Sequence, residues 1–200
     1  MRIDSLSISG AWKVEFQKFE DSRGYFYESF KTDEFRKLLG SSFNIRQANV
    51  SSSSKGTLRG IHYAFVPPSQ AKFVQCLRGS IKDFVIDIRT GSQTFGKFEE
   101  IELNEKSSGG LFIEEGLGHA FVALEDNTFV NYYMSERYNP VRESGINPFD
   151  KTLNINWPQI ELILSEKDKQ SKSLIEAESL GLLPSFVDCK KFITTFCLDG

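Results

Sequence analysis

The sequence predicts an all-β protein, built as an antiparallel sandwich or barrel with a few short helices. Short runs of apolar and β-branched residues recur along most of the 200-residue chain, with turn residues between them. The 18 phenylalanines recur in short alternating runs, which is typical of a sheet protein whose core is filled by aromatic rings. Because helical patterns do not separate successive strands, parallel βαβ units are disfavoured.

Six predicted strands occupy the middle of the chain. The sequence IKDFVIDI at residues 81–88 is β-branched and nearly continuous in apolar residues, so we expect a strand buried on both faces. A turn at residues 78–80 separates it from the preceding apolar run, and Gly91 and Gly96 punctuate the chain after it. The predicted strands lie at residues 70–77, 81–88, 98–103, 111–113, 120–124 and 127–134.

Two helices are predicted outside this region. The sequence TDEFRKLLG at residues 32–40 combines a Thr cap, apolar residues such as Phe35 and a terminal Gly stop. Ser173 and Glu176 form the pattern of a capping box, for a helix that would end at Gly181.

The C-terminal part of the chain carries weaker signals. Residues 168–172 are polar and charged, and we expect them to form a solvated loop. The tail after residue 186 fits either an edge strand or a loosely packed extension. We therefore predict one domain over residues 1–186, with an extension of unknown structure over residues 187–200.

Composition and charge disfavour several classes of protein. With a net charge of -3, nothing favours a nucleic-acid binder, which would need a basic face, and an anionic substrate would need cations placed locally. No apolar stretch is long enough to span a bilayer, and the N-terminus lacks the apolar run of a signal peptide. The 3 cysteines have no CxxC spacing, and Cys76 is expected to be a small buried residue. A reducing cytoplasm is the expected location.

The most informative stretch covers residues 56–72, with the sequence GTLRGIHYAFVPPSQAK. It contains His62, one of 2 histidines in the chain, with Arg59 before it and Lys72 after it. A base with a pKa near neutrality beside fixed positive charge can remove a proton from carbon next to a carbonyl and stabilise the resulting enolate. The same residues also fit a histidine satisfied inside a sheet, which is the commoner role of a lone histidine.

Strand geometry sets a condition on the functional interpretation of this stretch. Strict alternation would place Arg59 and His62 on opposite faces of a strand. Both can reach one site only if the strand bulges, and Gly60 between them is a residue that allows a bulge.

The second histidine, His119, follows two glycines in EEGLGHAF at residues 114–121, which suggests a tight turn that presents the ring. Two histidines raise the possibility of a metal site. Such a site in a small barrel would want a histidine two residues after His62, but that position is Ala64, and carboxylates would have to complete the ligand set. We therefore predict no metal and no other cofactor.

Three further segments could contribute chemistry, although each also has an ordinary structural explanation. Tyr132 is a core residue by default, and a general acid only if it faces a base. Asp168 ends the charged run LSEKD and would matter if it fixed the tautomer of a histidine. In DSRGYFYE at residues 21–28, Arg23 could hold a phosphate and Glu28 a polar base or sugar edge, or both could be surface charges.

The order of these motifs resembles that of the dTDP-4-dehydrorhamnose 3,5-epimerase family, the deoxysugar-nucleotide epimerases of the cupin superfamily. The resemblance covers nearly the whole chain, from residue 10 to residue 186, and its strength lies in the joint order of several motifs. These motifs are DxRGxFxE at residues 21–28, QAN at 47–49, GTLRGIHY at 56–63, QAK at 70–72, VIDIRTGSxTFG at 85–96, GxGHAF at 116–121, NWP at 156–158 and LSEKD at 164–168.

The resemblance implies a cupin-type jelly-roll barrel, usually a homodimer without a metal, that acts on a dTDP-linked 4-keto-6-deoxysugar. It makes His62 the proton-abstracting base, Asp168 its carboxylate partner and Tyr132 the acid on the opposite face of the sugar. Lys72 would stabilise the enolate at C4. The positions that match substrate contacts of the family are Arg23, Phe26, Glu28, Gln47, Asn49, Arg59, His119, Tyr138, Glu143 and Lys167, with Tyr138 stacking on thymine and some contacts reaching across the dimer.

Departures from the family pattern leave the number of inverted carbons open. The common 3,5-epimerase pattern has Gln where this chain has Ala64, and the neighbouring sequence is closer to the branch that serves unusual deoxysugars, which includes 3-epimerases. Alternatives within the class are a mono-epimerase acting at C3 or C5 and an epimerase that uses another nucleotide. Alternatives outside it are a 3,4-ketoisomerase and a non-catalytic sugar-binding cupin, although a pure binder needs no acid–base pair.

Overall fold

Two antiparallel β-sheets form the framework of the protein in a computed structural model, which describes residues 1–39, 43–67 and 69–198. The strands are β1 (Arg2–Ser5), β2 (Ala11–Glu15), β3 (Phe19–Asp21), β4 (Gly24–Phe26), β5 (Gln47–Ser53), β6 (Leu58–Ala64), β7 (Lys72–Arg78), β8 (Ser80–Ile86), β9 (Phe98–Asn104), β10 (Gly109–Ile113), β11 (Gly118–Ala123), β12 (Thr128–Met134) and β13 (Glu143–Gly145). The helices are α1 (Thr32–Leu39), α2 (Glu166–Lys169), α3 (Leu174–Ser179) and α4 (Phe186–Leu198). The predicted all-β class is confirmed.

The chain passes back and forth between the two large sheets. The six-stranded sheet has the order β1-β2-β10-β7-β12-β5, and the five-stranded sheet has the order β13-β6-β11-β8-β9. Strands β3 and β4 pair in a separate hairpin, and the pairings between named strands are antiparallel. This connectivity encloses one interior between two sheets, which is the arrangement of a jelly-roll barrel.

Alternation along the strands fills the interior with apolar side chains. Val74 and Val130 of the six-stranded sheet share one buried cluster with Ile81, Val85 and Phe121 of the five-stranded sheet. Full burial of each such side chain stabilises the fold by about 1.5–3 kcal/mol. We call this cluster the central layer.

The outer faces of both sheets are also covered. Helix α1 packs on the six-stranded sheet through Phe35, whose ring contacts the Phe73 ring at 5.0 Å and the Phe112 ring at 5.8 Å. The segment that contains Ile146, Trp157 and α3 packs on the five-stranded sheet. Aromatic rings therefore fill much of the core, as the phenylalanine content predicts.

Most predicted elements are present with shifted ends. The six predicted strands correspond to β7 to β12, and β8 is buried on both faces except at Lys82. Helix α1 begins at Thr32, and its predicted stop at residue 40 lies outside the described residues. The capping box of α3 is confirmed, since Ser173 and Glu176 exchange both hydrogen bonds.

Two C-terminal segments differ from expectation. The predicted solvated loop at residues 168–172 is wrong at its start, because residues 166–169 form α2 and Asp168 is buried. The side chain of Ser165 caps the N-terminus of α2 and fixes its backbone. From the sequence alone, the charged residues around this cap indicate a solvated loop. The tail does not form the edge strand that was one of the two expectations, because residues 186–198 form α4, which buries Cys189. In the described part of the chain, no helix has the length and apolarity needed to cross a bilayer.

Candidate active site

A bulge in β6 places Arg59 and His62 in the same cleft. His62 pairs with His119 of β11, whereas Arg59 pairs with Phe121, so the register shifts between the two pairs. Gly60 lies at this shift with φ 125°, and a Cβ there would lie 2.5 Å from the carbonyl oxygen of His119. The condition set by strand alternation is therefore met, because Arg59 and His62 both line one cleft of about 310 Å³.

His62 and Asp168 form a hydrogen-bonded pair in this cleft. Nε2 of His62 lies 2.7 Å from Oδ1 of Asp168. Helix α2 fixes the carboxylate, since the Asp168 backbone N–H donates to the hydroxyl of the capping residue Ser165. The His62 side chain is 39% exposed and that of Asp168 only 6%, so the imidazole can meet a ligand while its partner is shielded.

The surroundings of Asp168 favour its ionised form. Burial alone would raise the pKa of Asp168. Hydrogen bonds with His62 and Ser165, together with the electrostatic attraction of His62, outweigh burial and lower the pKa below its ordinary value. An ionised carboxylate on Nε2 leaves Nδ1 as the imidazole nitrogen that can face a substrate. The pair therefore has the arrangement of a general base with a carboxylate that orients it.

Lys72 extends from β7 into the interior between the sheets. It lies on the same face of its strand as Val74 and Cys76 of the central layer, and only 8% of it is exposed. Burial lowers the pKa of Lys72, and the negative charge of Glu143 opposes that shift. A buried cation in this position is suited to a negative charge that develops on a ligand.

Tyr132 reaches the same interior from β12. It packs against the central layer, with its ring centroid 6.2 Å from that of His119 and 6.3 Å from that of Phe121. Burial raises the pKa of Tyr132, and the negative charge of Asp83 acts in the same direction. The phenol therefore keeps its proton at neutral pH, which a general acid requires.

A second histidine–carboxylate pair was not predicted from the sequence. Nε2 of His119 lies 2.6 Å from Oδ1 of Asp83, and both side chains are buried. Asp83 belongs to β8, where it is a lone carboxylate within an apolar run. A buried carboxylate needs a partner, so this isolated charge is the signal that could have identified it.

The remaining predicted contacts fall into separate groups. Lys167 lines the cleft together with Arg59, His62 and Asp168. Gln47 and Asn49 lie on the edge strand β5, which pairs with β12 beside Tyr132 and Met134.

The loop that carries Tyr138 is tied to this sheet edge. Oε1 of Gln47 accepts a hydrogen bond from the Tyr138 backbone N–H at 2.8 Å, and the Tyr138 side chain is left largely exposed. Oε1 of Glu143 accepts hydrogen bonds from Nε2 of Gln70 at 3.3 Å and from the Asn139 backbone N–H at 3.1 Å. An exposed ring on an anchored loop is suited to stacking on a planar ligand.

The β3–β4 hairpin is not brought to the cleft of its own chain. Arg23 is 88% exposed and pairs with Asp21, while Glu28 pairs with Lys31. Phe26 is 65% exposed, although it is a large aromatic residue. Arg23 and Phe26 of this hairpin are therefore on the surface, and neither they nor Glu28, two residues beyond β4, line the His62 cleft.

A metal site would need several His, Cys, Asp or Glu side chains close together, and the described ranges 1–39, 43–67 and 69–198 contain no such group. Within them, no three side chains of His, Cys, Asp or Glu come together in a way that could hold a metal ion.

Comparison with known proteins gives a consistent result. The sequence pattern of the dTDP-4-dehydrorhamnose 3,5-epimerase family matches residues 5–176. The chain is 47% identical over 196 residues to a dTDP-4-dehydrorhamnose 3,5-epimerase of Mycolicibacterium smegmatis, covering 98% of this chain and 96% of that protein. It is also 43% identical to a dTDP-4-dehydro-6-deoxyglucose 3-epimerase of Streptomyces bikiniensis, covering 90% of this chain and 93% of that protein.

Solved structures give the same picture at the level of the fold. The rmlC epimerase of Mycobacterium tuberculosis superimposes with a TM-score of 0.95 at 41% identity, covering 98% of this chain and 100% of that chain. ChmJ, a 3'-monoepimerase from Streptomyces bikiniensis in complex with dTDP-quinovose, superimposes with a TM-score of 0.94 at 41% identity, covering 96% of this chain and 98% of that chain.

Proposed function

The chain belongs to the dTDP-4-dehydrorhamnose 3,5-epimerase family, and we propose that it epimerises a dTDP-4-keto-6-deoxyhexose at C3, C5 or both through an enolate. The observation that carries the proposal is the His62–Asp168 pair, whose half-exposed imidazole opens into a cleft that also holds Arg59. Hydrogens on the carbons beside a C4 ketone are acidic, because the charge left behind is delocalised onto the ketone oxygen.

In the proposed mechanism His62 removes this proton. Asp168 stays ionised, holds the imidazole by Nε2 and stabilises the imidazolium that forms. The enolate oxygen at C4 then needs a cation. Lys72 supplies it, and one such donor contributes about 3 kcal/mol of transition-state stabilisation.

Inversion requires that the proton returns to the opposite face of the same carbon. Tyr132 is the proposed acid, since it enters the interior from the six-stranded sheet while His62 enters from the five-stranded sheet. Its raised pKa keeps the phenol protonated until the carbanion is formed. One base and one acid can serve both C3 and C5 if the sugar shifts between steps.

The substrate contacts divide between sugar and nucleotide. Arg59, His119, Glu143 and Lys167 are proposed to surround the pyranose and diphosphate, and Tyr138 to stack on thymine beside Gln47 and Asn49. We propose that Arg23, Phe26 and Glu28 reach the cleft of a partner subunit in a homodimer, because their hairpin is exposed in its own chain. The expected location is the cytoplasm.

A mono-epimerase is the second candidate, because relatives of similar identity carry both activities in their names. A 3,5-epimerase is 47% identical, and a 3-epimerase is 43% identical. The 3,4-ketoisomerase and the non-catalytic cupin fit less well. The acid, base and cation together are the set that proton exchange beside a carbonyl requires.

Counting deuterium by NMR separates these candidates. The enzyme is incubated in D₂O with dTDP-4-keto-6-deoxyglucose, and incorporation is measured at C3 and at C5. Deuterium at both carbons with inversion at both indicates a 3,5-epimerase, and deuterium at one indicates a mono-epimerase. Absence of exchange at both carbons, with His62→Asn as the control, would contradict an epimerase.

A further inference from the structure

Helix α4 lies beyond residues 5–176, the part of the chain matched by the family pattern, yet it contacts the turn that precedes β11 and His119. We propose that α4 positions the active site and that Cys189 is the residue through which it acts. The inference rests on the proposed function, because it takes His119 and His62 to be residues of the site.

The start of α4 is anchored on a buried ion pair. Nη2 of Arg89 lies 2.8 Å from Oδ2 of Asp87, and both side chains are fully buried. The guanidinium lies 4.9 Å from the centre of the Phe186 ring, and the Phe186 backbone N–H donates to the Thr90 carbonyl at 2.9 Å. Since breaking a buried pair leaves an uncompensated charge, this anchor resists displacement.

Cys189 follows this anchor and is seated directly on Gly116. Cys189 is fully buried, and a Cβ built on Gly116 would lie 2.3 Å from its Sγ atom. The same Cβ would lie 3.3 Å from Cδ of Arg89, and the backbone of Gly116 has φ 85°. The helix and the turn therefore touch without space for a side chain between them.

A second contact holds the beginning of the same turn. Nζ of Lys190 donates to Oε2 of Glu114 at 3.1 Å, and the Glu114 side chain is 7% exposed. The Glu114 backbone N–H donates to the Gly10 carbonyl at 2.7 Å. Neighbouring residues of α4 therefore contact both Glu114 and Gly116, on the N-terminal side of His119.

Strand β11, which follows this turn, packs closely against β6, the strand that carries the proposed base. A Cβ on Gly118, the residue before His119, would lie 2.8 Å from Cγ2 of Ile61, the residue before His62. Because close-packed interiors transmit displacements, a shift of Cys189 moves the turn at Gly116 and reaches both histidines through Gly118. Misplacement by about 1 Å can reduce the rate of a catalysed step roughly 100-fold.

Because the chain has only 2 histidines, the NMR signals of the two imidazoles can be assigned and used to detect a change in the surroundings of each ring. In ¹⁵N-histidine NMR spectra of the full-length protein, His62→Asn assigns the two imidazoles. Cys189→Leu enlarges the side chain against Gly116 and is expected to shift the His119 signals. Val187→Leu is the matched control, because Val187 is 56% exposed on the same helix, and it should leave the spectrum unchanged.

Activity supplies the second measurement. Cys189→Leu should slow deuterium exchange into dTDP-4-keto-6-deoxyglucose roughly 10- to 100-fold. If Cys189→Leu does not fold, Lys190→Met replaces it and is expected to shift the same signals, while Lys190→Arg retains the wild-type spectrum.

Unchanged His119 signals and exchange rate in a folded variant, even with a lower melting temperature, would overturn the proposal and leave α4 a purely stabilising helix. The spectrum needs no turnover, so it remains a test of α4 if the wild-type protein fails to exchange deuterium.

Discussion

The two histidine–aspartate pairs have the same bond but different surroundings. Nε2 of each ring contacts a buried carboxylate, yet the side chain of His62 is 39% exposed and that of His119 is 6% exposed. A general base must contact its substrate, so the greater exposure of His62 favours it over His119, which is buried beside Tyr132, for the proposed role of base. Residue-scale predictions follow from this difference.

Asp168→Asn should lower the deuterium exchange rate by about 10²- to 10⁴-fold, because an amide neither stabilises the imidazolium nor enforces the tautomer. The pKa of Asp168 is lowered from its ordinary value of 3.8, so the stability it adds is present above pH 3.8 and lost as the pH falls through the folded-state value. Denaturant unfolding of both proteins at several pH values measures this difference. Glu166→Gln, at an exposed position of α2, is the control, and an equal exchange rate in Asp168→Asn would remove Asp168 from the mechanism.

Tyr132→Phe should separate proton removal from proton return. The ring packing against His119 and Phe121 is retained, so His62 should still exchange substrate protons, while inversion falls by about 10²- to 10⁴-fold. NMR of the product in D₂O reports both quantities in one sample. Equal losses of exchange and inversion would show that Tyr132 has only a structural role.

Among the secondary-structure elements, β6 determines whether the site can form. Without the bulge at Gly60, strand alternation would direct Arg59 and His62 to opposite sides of the sheet. Gly60 meets two requirements, since its φ is 125° and its α-carbon packs against the backbone of β11.

Gly60→Ala should destabilise the protein by about 1–3 kcal/mol, because the backbone is strained and the new Cβ contacts His119 and Ala120. The exchange rate should fall as well, since the bulge aligns Arg59 with His62. Gly91→Ala is the matched control, because Gly91 also has positive φ but open space around it. Denaturant melts and exchange assays that give the same values for both variants would contradict this role of the bulge.

On the scale of the whole molecule, one group of predicted contacts lies apart from the cleft. Arg23 and Phe26 are exposed on the β3–β4 hairpin, whereas Lys72 and Tyr132 face the barrel interior. Large exposed aromatic residues on an arm are typical of surfaces that another chain covers. A homodimer in which each hairpin completes the partner's cleft would account for this separation.

Complementation tests this dimer. Arg23→Ala and His62→Asn should each be weakly active alone, but co-expressed chains should regain activity, because a mixed dimer contains one cleft with both native residues. His62→Asn co-expressed with Asp168→Asn is the control, since these two residues share one cleft and no intact site can form. If the first pair shows no recovery although mixed dimers are present, the hairpin serves its own chain or none.

The sequence by itself was sufficient for local features. Alternating and β-branched runs predicted β7 to β12, and Ser173 with Glu176 predicted the cap of α3, because these patterns depend on neighbouring residues. The order of the motifs along the chain indicated the family, and the family resemblance indicated the candidate site residues. Local pattern failed at α2 and α4, whose polar or mixed sequences form helices through a cap and through packing on Gly116.

Only the tertiary structure decided which of these residues meet. His62 and Asp168 are 106 positions apart, and their 2.7 Å contact depends on how α2 packs beside β6. Asp83 pairs with His119, and Lys190 of α4 pairs with Glu114. Both are also contacts between residues far apart in the chain, which no local sequence pattern predicts. Local sequence therefore determines the strands and identifies the candidate catalytic side chains, while barrel closure determines their geometry, since contacts between distant strands form only when the sheets pack.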